Sequence, residues 1–259
     1  MFPLPADLAC PALTPESPVS VEVADAGQLE TTWDMVEDHG RQGPVTLPLL
    51  VGIVHHPGGT IAIDSGLGQT TRDGTWPTFP FNSFKVTVPA GTSLLERAGI
   101  PVKVLLTHNH YDHVGGLFDL PGVEVWAGLD DLRDRLPATL RARVHFVAQD
   151  LRAGVVKQAL GVPAVDVNGD GTVWYLGTPG HTRGSASVLV RAHDHQYLFV
   201  GDTAWVDSHL VDHRRPALIS AIIDDDHPAL DRSLTWARWI YGHCASVTVV
   251  AGHEPRWLK

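Results

Sequence analysis

One ten-residue segment, THNHYDHVGG at positions 107–116, constrains this chain more than any other feature. It places four side chains that can bind a metal within six positions: His108, His110, Asp112 and His113. The segment directly follows an apolar run, VKVLL, typical of a strand buried on both faces. Three imidazoles beside such a strand would need polar partners and would contribute little packing. The segment therefore predicts a metal site, and four donors suit two ions better than one because zinc takes about four ligands in all.

Three further apolar runs have the same form, a strand that ends in a donor residue within a turn of small residues. VWYLGTPGH ends at His181, YLFVGD ends at Asp202 and VTVVAGH ends at His253. Any one of these endings alone is a weak signal, since a single histidine at a strand end is more often structural. Four such endings in one chain form a specific pattern, because functional sites collect at the carboxyl ends of strands.

Together these segments resemble the motifs of the metallo-β-lactamase superfamily. HNHYDH is similar to the HxHxDH motif, and IDSG, TPGHT, GDT and AGH are similar to the other signature turns, in the same order, from about Val51 to His253. The resemblance implies an α+β fold, an αββα four-layer sandwich with two sheets face to face and helices outside. We expect a single domain over residues 1–259, with 1–18 as a loose N-terminal lead-in.

The resemblance also implies a role for each donor. The first metal would be held by His108, His110 and His181, the second by Asp112, His113 and His253, and Asp202 would bridge both. Asp64, in IDSG, would orient one of the ligand histidines. The cofactor would be two divalent ions, with zinc best suited to these donors and iron or manganese as alternatives. Asp112 is the predicted catalytic residue, because it can also hold or shuttle the transferred proton.

Two divalent ions that share a water give a hydroxide near neutral pH, so this site predicts a hydrolase that attacks a carbonyl carbon. The pattern is most similar to the acyl-homoserine-lactonase-like branch, which implies lactone or ester hydrolysis and a role in quorum quenching. The glyoxalase-II-like thioesterases share the ligand set and remain an alternative, although they usually add a basic helical C-terminal part. A metal-dependent oxidoreductase is a remote alternative, because such relatives replace a motif histidine by glutamate and His110 is intact.

The substrate side of the site differs from the lactonase pattern at one position. Lactonases of the acyl-homoserine type have a tyrosine three residues after the bridging aspartate, and this chain has Trp205 there. An indole can only pack or donate its N–H, so Trp205 is either a pocket wall or part of the core. The loop at 67–91 carries Trp76, Phe79 and Phe81, either as a lid over an apolar, acylated substrate or packed on itself.

Charge and composition limit the partners. The chain has 259 residues and a net charge of −10, which disfavours nucleic acids and anionic membranes and leaves a small-molecule substrate. No apolar run reaches the length of a membrane span, and the N-terminus lacks the basic start of a secretory signal. We therefore expect a cytoplasmic protein in which Cys10 and Cys244 stay reduced. A homodimer through the aromatic loop is a further prediction.

Periodicity predicts the remaining elements. Hairpins are expected over 51–66, 165–178 and 185–202, and helices over 92–100 (capped by a threonine), 130–136 and 228–241. The acidic residues at 224–227 are expected to cap the last of these helices. The segment DSHLVDH at 207–213 is expected to be a solvated polar loop, with a pocket loop or an extra ion site as the alternatives.

Overall fold

The computed structural model describes residues 4, 8–13, 16–74, 85–133, 136, 138–151, 157–193, 195–211, 214 and 220–258. Within this part of the chain the strands form two mixed sheets. The seven-stranded sheet contains β1 (Ser20–Thr32), β2 (Pro44–His56), β3 (Gly59–Ile63), β4 (Lys85–Thr87), β5 (Lys103–Leu105), β6 (Glu124–Gly128) and β7 (His145–Gln149), in the order β4-β1-β2-β3-β5-β6-β7. The six-stranded sheet contains β8 (Lys157–Ala159), β9 (Val162–Asp166), β10 (Val173–Gly177), β11 (Ala186–Arg191), β12 (Gln196–Gly201) and β13 (Val247–Ala251), in the order β13-β12-β11-β10-β9-β8.

Most helices in the described ranges are short. They are α1 (Trp33–Val36), α2 (Gln69–Arg72), α3 (Leu94–Ala98), α4 (Tyr111–Val114), α5 (Leu129–Arg133), α6 (Ala138–Arg141), α7 (Asp207–Val211) and α8 (His227–His243). Short 3₁₀ segments lie at Gly115–Asp119, Ser220–Ile223 and Pro255–Trp257. None of the described helices has the length and apolar content needed to cross a membrane.

The two sheets pack face to face through a shared apolar core. Ile61 and Leu105 of the first sheet belong to one buried cluster with Tyr175, Val188 and Phe199 of the second. Separate clusters cover the outer face of each sheet, with helices packed over them. Burial of these apolar faces on both sides of each sheet stabilises the four layers. The predicted αββα sandwich is confirmed.

The long helix α8 shows how the sequence pattern becomes structure. Leu230, Leu234, Ala237 and Ile240 are buried along one face, which packs on the second sheet. The side chain of Asp226 accepts a hydrogen bond from the backbone N–H of Ala229 at 2.9 Å, so an aspartate does cap this helix. The cap of α3 is Ser93 rather than the predicted threonine, since a capping box with Glu96 requires the residue three positions earlier.

The prediction that both cysteines stay reduced is wrong. Cys10 and Cys244 form a disulfide, with their Cα atoms 5.3 Å apart and a sequence separation of 234 positions. Residues 8–13 lie against the second sheet, where Gln196 Nε2 donates to the carbonyl of Pro11 at 3.0 Å. Arg191 Nη2 donates to the next carbonyl at 2.7 Å. Sequence patterns missed the pairing because only folding brings the two cysteines together.

Candidate metal centre

The predicted donors follow strand ends at one edge of the sandwich. His108 follows β5 of the first sheet, and His181, Asp202 and His253 follow β10, β12 and β13 of the second. Helix α4 begins immediately after His110, which is its extended N-cap, and carries Asp112 and His113 in a single turn. Because the chain changes from extended to helical after His110, the donors before and after this point face different directions.

The first group of donors comprises His108, His110, His181 and Asp202, whose ligand atoms all lie within 4.8 Å of one another. His181 Nε2 is 2.9 Å from His110 Nδ1 and 3.3 Å from Asp202 Oδ2. All four residues are buried. Three imidazoles and one carboxylate at this spacing match the donor set of a zinc ion.

The second group comprises Asp112, His113 and His253. The Nε2 atoms of His113 and His253 lie 3.2 and 3.1 Å from Asp202 Oδ1. Gly252 permits this approach, because a Cβ there would meet Asp202 Oδ1 at 2.7 Å. The two oxygens of Asp202 thus face different donor groups, Oδ2 the first and Oδ1 the second. The structure brings all seven predicted donors together.

The hydrogen bonding of these residues tests whether metals fit. His108 Nε2, His113 Nε2 and Asp202 Oδ1 are buried and form no well-directed hydrogen bond within the described part of the chain, although the last two lie 3.2 Å apart. A buried polar atom without a partner costs about 1–3 kcal/mol, and here three of them point into the same cluster. Divalent ions at the two groups would satisfy these atoms, so the residues fit the implied cofactor.

Asp64 contacts a histidine of the second donor group directly and one of the first group through Thr107. Its Oδ2 atom is 2.8 Å from His113 Nδ1 and accepts the hydroxyl of Thr107 at 2.7 Å. That hydroxyl lies 3.2 Å from His108 Nδ1. Asp64 adopts a left-handed backbone, with φ of 57°, which a non-glycine residue takes up only when its surroundings impose it. Asp64 thus lies beside a ligand-type histidine, and its orienting role stays a prediction.

Asp224 is a site residue that sequence reasoning missed. Its Oδ1 atom lies 2.7 Å from His181 Nδ1, the ring nitrogen that faces away from the donor group. Capping was expected to account for the acidic residues at 224–227, but the capping residue is Asp226. The signal in the sequence is the surplus of carboxylates, since one aspartate is enough to cap a helix.

Burial and the neighbouring carboxylates shift the pKa values of the donors in opposite directions. Burial, together with nearby histidines, holds the pKa of His108 well below its ordinary value. Burial also opposes protonation of His181, but Asp202 and Asp224 outweigh it and raise the pKa of His181 to about 9. Despite burial, the surrounding histidines hold the pKa of Asp202 well below its ordinary value. The cluster is therefore built around an ionised central carboxylate.

A family model described as the metallo-beta-lactamase superfamily matches residues 46–239, about three quarters of the sequence. The chain belongs to the metallo-beta-lactamase superfamily. The resemblance inferred from the motifs is thereby confirmed.

Individual superfamily members are similar to different extents. N-acyl homoserine lactonase AttM of Rhizobium radiobacter is 25% identical over 234 residues, which are 84% of this chain and 86% of that protein. A hydroxyacylglutathione hydrolase of Xanthomonas campestris pv. campestris is 36% identical over 107 residues, 40% of this chain. The match spans only 32% of the length of that relative.

Solved structures share the fold at low identity. A mutant of B. thuringiensis AiiA with N-decanoyl-L-homoserine bound at the active site has a TM-score of 0.69 at 16% identity, covering 91% of this chain and 93% of that one. AidC, a dizinc quorum-quenching lactonase in complex with a product, has a TM-score of 0.60 at 13% identity, covering 96% and 90%. These likenesses support the fold of the superfamily.

Trp205 stands beside both donor groups of this superfamily member. Its ring lies edge-on to His181, with centroids 6.4 Å apart, and to His253, with centroids 5.9 Å apart. Its backbone carbonyl accepts the N–H of His253 at 2.7 Å. Its backbone N–H donates to Nδ1 of His209 at 3.3 Å. The indole therefore borders the donor cluster and also packs on the neighbouring apolar residues.

The prediction of a solvated polar loop at 207–213 is wrong for its described residues. Residues 207–211 form α7, and His209 is fully buried. Its Nε2 atom lies 3.1 Å from the carbonyl of Val36. Burial lowers the pKa of His209 to about 4, so the ring stays neutral and can accept from Trp205. The predicted pocket residues Trp76, Phe79 and Phe81 lie outside the described residues.

Proposed function

We propose that this chain is a metal-dependent hydrolase that uses two divalent ions, with zinc as the best-suited metal, to open a lactone or cleave a related ester of a small-molecule substrate. The observation behind this proposal is that the two carboxylate oxygens of Asp202 face different donor groups. Its Oδ2 faces the first group and its Oδ1 faces the second. One carboxylate between two sets of histidines is the arrangement expected of a bridged pair of ions.

The roles of the chain's own residues follow from their positions. When bound, two such ions polarise a carbonyl oxygen and lower the pKa of a water. Asp112 Oδ2 lies 3.6 Å from His253 Nε2 and 3.8 Å from His113 Nε2, so this carboxylate joins the second group at its edge. Its side chain is 13% exposed, more than either of these histidines, and can therefore reach a substrate atom. We assign Asp112 the role of holding or moving the transferred proton.

The extent of similarity favours lactones over thioesters. The lactonase AttM is matched along most of its length, whereas the hydroxyacylglutathione hydrolase is matched over a third. Trp205 gives the site an apolar border against which an acyl chain can pack. An acylated homoserine lactone, and with it a role in quorum quenching, is therefore our preferred substrate proposal. The 36% identity with the hydroxyacylglutathione hydrolase keeps a thioester as the second candidate.

The test is proton release by zinc-loaded protein on addition of a decanoyl homoserine lactone or a hydroxyacylglutathione thioester. Fast release from the lactone that a chelator abolishes is the expected result. Release from the thioester alone would overturn the substrate proposal and leave the hydrolase standing. Release that a chelator does not affect would overturn the metal-dependent mechanism.

Two further proposals concern the setting of the protein. A cytoplasmic location is the expectation from sequence, and the Cys10–Cys244 disulfide argues against it, because such bonds persist in oxidising compartments. Fractionation of cells with immediate thiol trapping would decide between the cytoplasm and an oxidising compartment. The homodimer proposed from the aromatic loop is tested by light scattering, with a single-chain mass as the contradicting result.

A further inference from the structure

A carboxylate outside the donor cluster connects the loops that carry the first donor group. Asp131 is 3% exposed and lies in α5, directly after β6. Its Oδ2 atom accepts the hydroxyl of Thr182 at 3.0 Å, and its Oδ1 atom accepts the backbone N–H of Gly184 at 2.9 Å. Both partners follow His181 in the loop between β10 and β11. Asp131 thus holds the loop of a histidine that belongs to the opposite sheet.

The same residue also contacts the HxHxDH segment. The backbone carbonyl of Asp131 accepts a hydrogen bond from Asn109 Nδ2 at 2.8 Å. Asn109 lies between His108 and His110, so this bond fixes the chain at the point where two donors of the first group arise. One residue therefore bonds to both of the loops that supply the three histidines of that group.

Close packing leaves little freedom at this junction. A Cβ at Gly184 would meet Asp131 Oδ1 at 2.5 Å, and a Cβ at Gly128 would meet the carbonyl of Gly184 at 2.1 Å. The two loops are also joined directly, because the N–H of Ala186 donates to the carbonyl of Thr107 at 2.7 Å. With no space for side chains at the two glycines, the position of the His181 loop depends on the groups that bond to it.

Keeping a carboxyl group at this place costs free energy. Burial is the largest cause that raises the pKa of Asp131, to about 6, and Asp225 adds to it, while the bonds from Thr182 and Gly184 act in the opposite direction. An apolar residue would avoid this cost but would leave the N–H of Gly184 without an acceptor.

We infer that Asp131 is a positioning residue that fixes the His181 loop against the His108–His110 segment and so sets the geometry of the first donor group. The expected effect on metal binding rests on the proposed function, whereas the contacts of Asp131 with the two loops do not. The second donor group is held by other partners, Asp64 for His113 and the carbonyl of Pro48 for His253. Loss of Asp131 should therefore act selectively on the first group.

The experiment compares Asp131→Ala and Asp131→Asn with wild-type protein in two measurements. Zinc binding should fall about 10- to 100-fold at one of two sites in Asp131→Ala, as expected for loss of a supporting contact. Asp131→Asn should recover most of this loss, because its oxygen can accept from Gly184 and its amide can donate to the Thr182 hydroxyl. Equal zinc affinity in all three proteins, or an asparagine variant as impaired as the alanine variant, would overturn the inference.

The second measurement needs no metal and separates this inference from the proposed function. In metal-free protein, amide hydrogen exchange should rise in Asp131→Ala over residues 180–186, because only the side-chain bonds to Thr182 and Gly184 are lost, and remain unchanged over 201–205. Unchanged exchange over 180–186 would overturn the inference even if zinc binds. If wild-type protein binds no zinc, the proposed function fails while the exchange result still decides the role of Asp131.

The matched control is Asp119→Asn. Asp119 Oδ1 likewise accepts a threonine hydroxyl, that of Thr70 at 2.6 Å, but it joins α2 to the 3₁₀ segment and bonds to neither histidine loop. Its zinc affinity should equal that of the wild type. Thr182→Val provides a milder variant, since it removes one of the two donors to Asp131, together with the 2.7 Å contact of that hydroxyl with Ser185 Oγ, and keeps the shape of the side chain. It should weaken zinc binding less than Asp131→Ala, and a larger effect would contradict the assigned role.

Discussion

The carboxylate of Asp224 lies 2.7 Å from Nδ1 of His181, while Nε2 of the same ring faces His110 and Asp202. One side of the imidazole is thus fixed by an acidic partner, and the other is free to point at the donor cluster. The Asp64–His113 pair has the same arrangement, at 2.8 Å. Each donor group therefore has one histidine held by a carboxylate from outside, which fixes the ring and its tautomer.

The first prediction concerns this pair. Asp224→Ala should weaken zinc binding about 10- to 100-fold, because the ring of His181 loses the acceptor that orients it. Titration against a competing chelator measures the affinity. Asp226→Asn is the control, since asparagine preserves the cap of α8 two residues away and should leave zinc affinity unchanged. Wild-type affinity in Asp224→Ala would show that the pair has no orienting role.

The second prediction concerns Trp205. Trp205→Ala should raise KM for an acylated lactone by about 3- to 10-fold, the effect of losing about 0.7–1.4 kcal/mol of apolar contact with the acyl chain. The zinc content should not change, because the indole carries no donor atom for a metal. Steady-state kinetics and elemental analysis of the same sample provide both values. A loss of zinc with unchanged KM would identify Trp205 as support for the ligands rather than as a substrate contact.

Much of the site could be predicted from the sequence, because its donors follow apolar strands in turns of small residues. His108, His181, Asp202 and His253 each stand at such a strand end, and the sandwich brings those ends together. These signals are local, and their resemblance to the motifs of the superfamily supplied the fold and the assignment of the donors to two metals.

The parts that could not be predicted depend on contacts between distant segments. Asp224 pairs with a histidine 43 positions away, and Asp131 with a threonine 51 positions away. His209 appeared in a polar segment but is buried in contact with the carbonyl of Val36 in α1, and Cys10 meets Cys244 only after folding. Each of these residues also fits an ordinary local role, such as a cap, a helix surface or a loop, so the sequence alone does not indicate its tertiary contact.

The third prediction is a pH dependence of stability at Glu37. Burial opposes ionisation of this carboxylate, but bonds from Arg41 and Ser208 outweigh it and lower its pKa to about 2 from 4.5. Because the folded pKa is the lower one, this stabilisation is present above pH 4.5 and is lost as the pH falls towards 2. Glu37→Gln should therefore cost about 1–2 kcal/mol of unfolding free energy near neutral pH, and less in acid.

Urea unfolding of wild type and Glu37→Gln at about pH 7 and about pH 4 measures this difference. Glu30→Gln is the control, because the ion pair between Glu30 and Lys85 is exposed. The side chain of Glu30 is 45% exposed and that of Lys85 is 73% exposed. That variant should show little change at either pH. A cost at Glu37 that grows on acidification would contradict the expected sign.

The fourth prediction concerns the disulfide. Cys10→Ser should lower the free energy of unfolding by about 2–4 kcal/mol, because the bond restricts the unfolded chain. The zinc content should stay the same, since Cys244 precedes β13 and the donor His253 follows its other end. Thermal unfolding with and without reductant measures the effect, and reduced wild type should match the variant. Equal stability of oxidised wild type and Cys10→Ser would contradict a stabilising role for the bond.

Asp202 joins two metal sites in the proposed mechanism, and the most direct measurement of this is the number of zinc ions bound per chain. Protein loaded with excess zinc and then desalted should carry two equivalents by native mass spectrometry and elemental analysis. Asp202→Ala should lose at least one equivalent, because both donor groups share this carboxylate. A wild-type chain that holds a single zinc after loading, or an Asp202→Ala variant that keeps two, would contradict the bridging role of Asp202.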